Sequence, residues 1–600
     1  MKRGEAIGVQ KRIAIVFFFI FLMLVTFLPR VLSLSAHWSS DESTWMKRSH
    51  RFISALETGL FTDTFTTHHP GVTTMWLGGA AMWNANDRKS LTNMSVLSIL
   101  DFFNPALLAQ MRFPIAYLTG VIVLLAACIL YRLFNARLAA VGSLFLAFEP
   151  FLLAESRRLH TDALTSEFLF LTLLLWLSYL EGAPPRRRYL IFSGFFWGLA
   201  CLSKSLAGAF ILFLPILLVW YIKQKDLSGV KMLWGALLFL CVALLTVLVV
   251  WPYMWTFKMG NFWISPTLFF VCIVSLYWIW KRLSVSEETF LNPKAFFVIS
   301  FGVLVVLGAS LFVAKNVLAG MYDAFTVAHE LPKLFLGDIR YDPGILYYPV
   351  MWFVWSGPLT LLLIGAAIYL VWKQQHVDPK VFRVTAVLVC FALFYLLGLS
   401  LLAKKIARYI VIFLPSLCLL ATIGALQVSE SLLMKRWRYL FLVSLVVLQI
   451  VPVLRLHPYY QTYYFPLLSG KWVSENVSSI TGVGLDLAAD YLNAQPNAEK
   501  LQVRATLFSR NVNRYFHGST SVKRGNLPSK QPNALTFDYH VEYLRDKQLQ
   551  GIAKDSHPKD GVPISALQHD EDIPRALEAV VRLNAVDYVW IYRVLETPGE

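Results

Sequence analysis

The sequence predicts an α-helical polytopic membrane protein with about 13 transmembrane helices, followed by a small C-terminal α/β domain outside the membrane. Three observations predict it. Hydrophobic residues make up 57% of the 600-residue chain and charged residues only 15%, against about 45–50% and about 25% in an average globular protein. Apolar stretches approaching the roughly 20 residues needed to cross the hydrocarbon core recur as far as residue 454. The composition then changes, with 15 Lys/Arg and 16 Asp/Glu in residues 471–600. A mean hydropathy of +0.56 excludes a wholly soluble chain and a disordered one.

The spans are expected near 13–34, 111–131, 138–154, 163–180, 189–203, 206–222, 232–253, 264–280, 295–314, 349–372, 384–402, 409–427 and 438–454. The first is too long, and too poorly followed by a small-residue cleavage site, to be a removed signal peptide. Placing the N-terminus in the cytoplasm gives the inner loops 21 basic and 7 acidic residues, as the positive-inside rule requires. The net charge of +17 thereby reads as cytoplasmic anchoring, and no nucleic acid is expected as a partner. An odd number of spans leaves 471–600 on the extracytoplasmic side of a membrane module covering 1–470. Two outer loops are long, 35–110 and 315–348, and the first has room for one or two interfacial helices. In the tail, the amphipathic run 485–495 predicts a helix and Tyr588–Tyr592 a strand. The six cysteines all lie in apolar runs and form no metal-binding or disulfide pattern. No GxxxxGK[ST] phosphate loop occurs.

Ionisable residues close to a bilayer are costly and point to function. Here they gather on the outer face, against the positive-inside trend: Asp41 and Glu42, His68 and His69, Arg112, Arg157 and Arg158, His160, Asp162, Lys204, and Lys404, Lys405 and Arg408. A lipid-linked phosphate lies at this depth, where Lys and Arg bind its oxygens through charge-assisted hydrogen bonds. A facing carboxylate takes a proton from an acceptor hydroxyl. For any one cation, reaching for lipid headgroups is the competing explanation. A polytopic transporter or lipid-linked sugar flippase is the alternative class, but transporters place such residues near the midplane.

Several of these residues sit in a recognisable order. Asp41-Glu42 after the first span and His69-Pro70 in the same loop resemble the first outer loop of GT-C glycosyltransferases, in particular the protein O-mannosyltransferase and aminoarabinose transferase branch, a family-39-like pattern. Arg112-Phe-Pro, Arg158-Leu-His-Thr-Asp162, Gly198 to Lys204, Trp251-Pro252-Tyr253, Tyr347-Tyr348-Pro349, Lys404-Lys405 with Arg408-Tyr409, and His457-Pro458 extend the resemblance over roughly residues 10–470. The resemblance implies a GT-C fold and inverting transfer of a sugar from a polyprenyl-phosphate donor to an acceptor hydroxyl of a protein, lipid or glycan. It implies Asp41 as general base, Glu42 as a holder of acceptor or metal, and Asp162 as a positioning acid. As helix caps, Asp41 and Asp162 have a purely local alternative. Arg112, Lys204, Lys404, Lys405 and Arg408, with Arg157 and Arg158, are the expected phosphate ligands. Tyr341, Tyr347 and Tyr348 belong to the expected substrate loop. No cofactor is required. A divalent metal, or the acceptor, would fall to His68, His69 and His160.

Overall fold

Among the described residues, helices form where the apolar runs lie. The computed structural model describes residues 2–67, 70–83, 104–182, 185–256, 258–259, 262–263, 274, 332–373, 378–432, 434–478, 482–506, 509–522, 537–549 and 574–595. The membrane part comprises α1 (Lys2–Val31), α2 (Ser40–Thr58), α3 (Val72–Trp83), α4 (Pro105–Leu133), α5 (Ala136–Phe148), α6 (Pro150–Ser156), α7 (Asp162–Glu181), α8 (Arg188–Ser203), α9 (Phe210–Lys225) and α10 (Gly229–Val250). It continues, after the hairpin β1 (Lys333–Phe335) and β2 (Asp338–Arg340), with α11 (Tyr347–Trp355), α12 (Pro358–Lys373), α13 (Pro379–Leu401), α14 (Leu414–Leu432) and α15 (Lys435–Leu456).

Among the described residues, 7 helices are long and apolar enough to cross a membrane, or up to 9 if each bent pair is one span. Shorter apolar helices at Val16–Val31 and Arg188–Ser203 stand where further spans are expected. The chain is thus a multi-pass integral membrane protein; the described residues neither confirm nor contradict the expected count of 13. The expected spans at 264–280 and 295–314 lie outside the described residues. Two expected spans are broken. Helices α5 and α6 meet at 64°, because Pro150 lacks the N–H that would continue the helix and the Glu149 carboxylate instead accepts from the N–H of Leu152. Helices α11 and α12 meet at 113° across Ser356-Gly357, where Pro358 starts a new helix.

Helix α7 is the centre of the bundle: every side chain from Asp162 to Leu180 is buried, so it has no lipid-facing side, as an all-round apolar helix requires. On its flank, α12 and α14 approach so closely that a Cβ on Gly424 would stand 1.9 Å from the carbonyl oxygen of Leu363. Small residues permit such backbone approach in membranes, where packing replaces the hydrophobic drive.

The tail adds α16 (Gly470–Asn476), α17 (Leu485–Asn493), β3 (Gln502–Ala505), β4 (Ser519–Val522), β5 (Tyr539–Tyr543), α18 (Leu544–Gln548), β6 (Arg575–Leu583) and β7 (Val586–Val594). The five strands form one mixed sheet in the order β4-β3-β5-β7-β6. Strands β3 and β4, and β3 and β5, run parallel, while β7 is antiparallel to both its neighbours. The expected helix at 485–495 is α17, which buries Leu485, Ala488, Ala489 and Leu492. The expected strand at Tyr588–Tyr592 lies within β7.

Candidate active site

The 35–110 loop supplies two helices, α2 and α3. Helix α2 begins with a reciprocal cap: Glu42 accepts from the backbone N–H of Ser39 at 3.0 Å and from its hydroxyl at 3.1 Å. The Ser-x-x-Glu spacing at Ser39–Glu42 signals this capping box, so the cap falls on Ser39 and leaves Asp41 pointing elsewhere. The same Glu42 carboxylate accepts from the N–H of Leu159 at 2.9 Å and from Arg112 Nε and Nη2 at 2.7 and 2.6 Å. Arg112 spends its other donors on the carbonyls of Leu34, Ala36 and His37. All five guanidinium N–H groups are thereby occupied, and the pair is buried at 4% and 0% side-chain exposure. Burial pushes the Glu42 carboxyl up, and the Arg112 guanidinium overrides it, holding Glu42 down to about 2. In this arrangement the hydrogen-bonding groups of both side chains are taken up within the protein, and the pair pins the start of α2 to the head of α4.

Two more expected phosphate ligands turn to backbone. Arg157 donates to the carbonyls of Pro29, Leu32 and Ser33, closing the C-terminal end of α1, where a cation complements the helix dipole. Lys405 donates to the carbonyls of Ser400 and Leu402 and does the same for α13. The expected substrate-loop tyrosines also separate. Tyr341 is exposed, whereas Tyr347 and Tyr348 are buried, and the Tyr348 hydroxyl accepts from the N–H of Ile406 at 3.0 Å. The latter two are packed in the interior.

What remains is one connected group. Asp162 in the first turn of α7, Lys204 just beyond the end of α8, Arg408 in the 3-10 turn Ala407–Phe413 before α14, His160 and Asp41 meet at a single level of the bundle. Arg408 bridges the two acids, with Nη2 at 2.7 Å from Asp41 and Nε at 2.7 Å from Asp162. Lys204 pairs with the other oxygen of Asp162 and lies 3.7 Å from the ring centroid of Tyr409. The His160 ring sits between the acids, 3.1 Å from Asp162 and 3.8 Å from Asp41, with its plane edge-on to Trp45. Behind this group Arg158 pairs with Glu155 at 2.6 Å. Asp162, Lys204 and His160 are buried, but the Asp41 side chain is 42% exposed. It is the most open member of the network, with Arg408 partly exposed beside it. Arg408 holds the Asp41 carboxyl well below the usual carboxylate range, against an opposing push from burial.

The glycine that follows the His-Pro step contributes through backbone. Gly71 has a φ of +60°, which favours glycine, and a Cβ there would lie 2.2 Å from the Trp45 ring. Its N–H donates to the carbonyl of Ser203, tying the loop to the residue before Lys204. His68 and His69 lie outside the described residues. Glu155, not singled out in the sequence, joins His160 and Asp162 in bringing three metal-capable atoms within 4.8 Å of one another. Each carboxylate of that trio already faces a cation, Arg158 for Glu155 and Lys204 with Arg408 for Asp162, so the charge a divalent ion would supply is already provided.

This arrangement can hold an ionised carboxylate at an opening and place fixed cations next to it. Residues 102–253, which include Arg112, Asp162 and Lys204, match the family model of dolichyl-phosphate-mannose-protein mannosyltransferases. A comparison with curated proteins gave no match. Among solved structures, the Archaeoglobus fulgidus oligosaccharyltransferase in the apo form is similar at 13% identity and a TM-score of 0.45, covering 89% of this chain and 70% of that one. The Archaeoglobus fulgidus oligosaccharyltransferase AglB, in complex with an inhibitory peptide and a dolichol-phosphate, is similar at 15% identity and a TM-score of 0.44, covering 90% and 70%. ArnT from Cupriavidus metallidurans bound to undecaprenyl phosphate is similar at 13% identity and a TM-score of 0.43, covering 96% and 97%. Over its second to seventh expected spans, then, the chain carries the sequence pattern of the membrane mannosyltransferases that its outer-face motifs resemble.

Proposed function

We propose that the protein is an integral-membrane glycosyltransferase that moves a sugar from a polyprenyl-phosphate carrier to an acceptor hydroxyl, with inversion at the anomeric carbon. The observation that carries this reading is the half-exposed Asp41 carboxylate, joined by Arg408 to a buried Asp162–Lys204 pair. The family match over residues 102–253 supports a lipid-phosphate sugar as donor. Asp41 accepts the proton of the acceptor hydroxyl while the hydroxyl oxygen bonds to the anomeric carbon. The bond from that carbon to the phosphate oxygen breaks, and the carrier leaves as a phosphomonoester dianion. Fixed cations at the leaving group stabilise this charge as it develops.

Arg408 links the two tasks. While it pairs with Asp41, the carboxylate is a weak base, because a base works best with a pKa near the operating pH. A donor phosphate that draws Arg408 away strengthens Asp41 as a base at the moment a substrate is present. Arg112, Glu42, Arg157 and Lys405 belong in this reading to the scaffold around the site. The catalytic module covers residues 1–470 and the tail 471–600. The site and the tail face the extracytoplasmic side and the N-terminus the cytoplasm, as the loop charges favour.

The test uses purified protein in lipid nanodiscs, wild type beside Asp41→Asn, with a panel of radiolabelled polyprenyl-phosphate sugars and a membrane acceptor extract. Transfer that collapses in Asp41→Asn while donor binding persists supports the reading. No transfer from any donor, together with movement of lipid-linked sugar across sealed liposomes, replaces it with a flippase.

A further inference from the structure

The junction between the tail and the membrane module holds a second concentration of positive charge. Lys333, on β1, is buried at 6% exposure, and its ammonium nitrogen has no hydrogen-bond partner among the described residues. Among the described residues, the charged groups acting on it are the cations Arg545, Lys404 and Lys405 and the acid Asp342. That acid is exposed, and it already accepts from the N–H of Gly344 at 2.9 Å. An unpaired buried ammonium among like charges is costly. Burial first, and then Arg545, push Lys333 down to about 7.

The tail builds this place. Arg545, in α18, donates to the carbonyl of Pro332 at 2.7 Å, the residue before Lys333. On the other side of Lys333, the N–H of Leu334 donates to the Ser478 hydroxyl at 2.8 Å, and the N–H of Ser478 returns to the Leu334 carbonyl at 3.0 Å. Phe335 bridges to Val477. The strand carrying Lys333 is thus fixed from both sides by residues of the tail. The cluster also adjoins the candidate active site: Tyr347 lies within electrostatic reach of both Arg545 and Arg408.

We propose that Lys333, Lys404 and Arg545 form an anion site, completed by the tail, that holds a phosphomonoester dianion. Charge decides the class of ligand. A sugar linked through a phosphodiester carries one negative charge, whereas a phosphomonoester carries about two near neutral pH. Several cations facing one exposed acid match the dianion better. Resting on the transferase reading, the lipid-borne source is the spent polyprenyl phosphate. A phosphate group on the acceptor is the other source of the same chemistry. The dianion would give the Lys333 ammonium its missing partner.

The experiment measures binding, not turnover, on the full chain in nanodiscs. Undecaprenyl phosphate and inorganic phosphate are titrated separately against wild type, Lys333→Met, Lys333→Arg and Lys404→Gln, with thermal unfolding as the control for folding. Loss of a hydrogen-bonded charge weakens binding by roughly 10-fold or more, so Lys333→Met is expected to raise the dissociation constant by about that factor. Lys333→Arg restores it, and Lys404→Gln weakens it. Dependence on Lys333 for undecaprenyl phosphate alone assigns the spent carrier. The same dependence for inorganic phosphate alone supports the site and assigns a soluble or acceptor phosphate. Wild-type affinity for both probes in folded Lys333→Met overturns the proposal, as does wild-type affinity in Lys404→Gln should Lys333→Met fail to fold. Neither result touches the Asp41-dependent transfer assay, so the two readings fail separately.

Discussion

Two adjacent carboxylates, Asp41 and Glu42, are predicted to fail in opposite ways. Glu42 is fully buried against Arg112, and removing one partner of such a pair leaves an uncompensated charge at a cost of about 3–5 kcal/mol. Glu42→Gln also weakens the cap on α2. It is therefore expected to lower the unfolding temperature in detergent markedly, with whatever folded fraction remains still competent for transfer per molecule. Asp41 is 42% exposed and pairs with a partly exposed Arg408, a contact contributing only about 0–1 kcal/mol to stability. Asp41→Asn is nearly isosteric, so the unfolding temperature is expected to stay put. Loss of a general base then lowers the transfer rate by about 10²–10⁴. The assay is a paired measurement on one preparation: thermal unfolding by intrinsic fluorescence, and single-turnover release of sugar from the labelled carrier, normalised to folded protein. Full turnover in Asp41→Asn, or a stable but inactive Glu42→Gln, would refute the assignment of one residue to chemistry and the other to scaffold.

Arg408→Lys retains the charge but cannot bridge Asp41 and Asp162 as a planar fork does. It is expected to reduce kcat/KM for donor by roughly 10-fold or more, and Arg408→Gln further, read from initial rates over a donor series. Gly424→Val places side-chain atoms where the Leu363 carbonyl stands and should cost about 1–3 kcal/mol, seen as a lower unfolding temperature with little change in KM. Acid stability has a definite sign. The folded Glu42 carboxyl titrates at about 2 against an ordinary 4.5. Its contribution is therefore complete above about pH 5 and is lost as the pH falls from there towards 2. Unfolding curves of wild type and Glu42→Gln should accordingly converge in that window, and parallel curves would count against the pair.

The hydropathy of the chain placed the spans well, because the signal for a membrane helix is local: α4, α7 and α10 fall within a few residues of the expected stretches. The breaks did not show. Pro150 and Pro358 were visible as letters, but a proline inside an apolar run kinks some helices and ends others, and the 64° and 113° bends depend on what packs against them. The site was half legible. Charge opposing the positive-inside trend singled out a set of residues, and of these Asp41, His160, Asp162, Lys204 and Arg408 do come together. The division of labour among those charges was hidden, for a definite physical reason. Arg112, Arg157 and Lys405 are satisfied mainly by backbone carbonyls, and every residue has a carbonyl, so nothing in a sequence marks the one that will accept. Glu42 was the exception, since Ser39-x-x-Glu is a readable cap.

Lys333 shows the same limit from the other side. In the sequence it is one of two lysines in the 315–348 loop, with nothing to set it apart from a solvated one. It becomes buried because Leu334 is bonded to Ser478, 144 residues away, and because Arg545 holds the carbonyl before it. A charge is conspicuous in a membrane sequence when its neighbours in sequence are apolar. It is inconspicuous when the apolar surroundings are assembled from a distant part of the chain. The outer-face cations that the sequence advertised are therefore mostly those with partners already in place. Lys333, which it did not advertise, has a buried ammonium with no hydrogen-bond partner among the described residues, and in a protein proposed to release a phosphate dianion that is where binding should be sought.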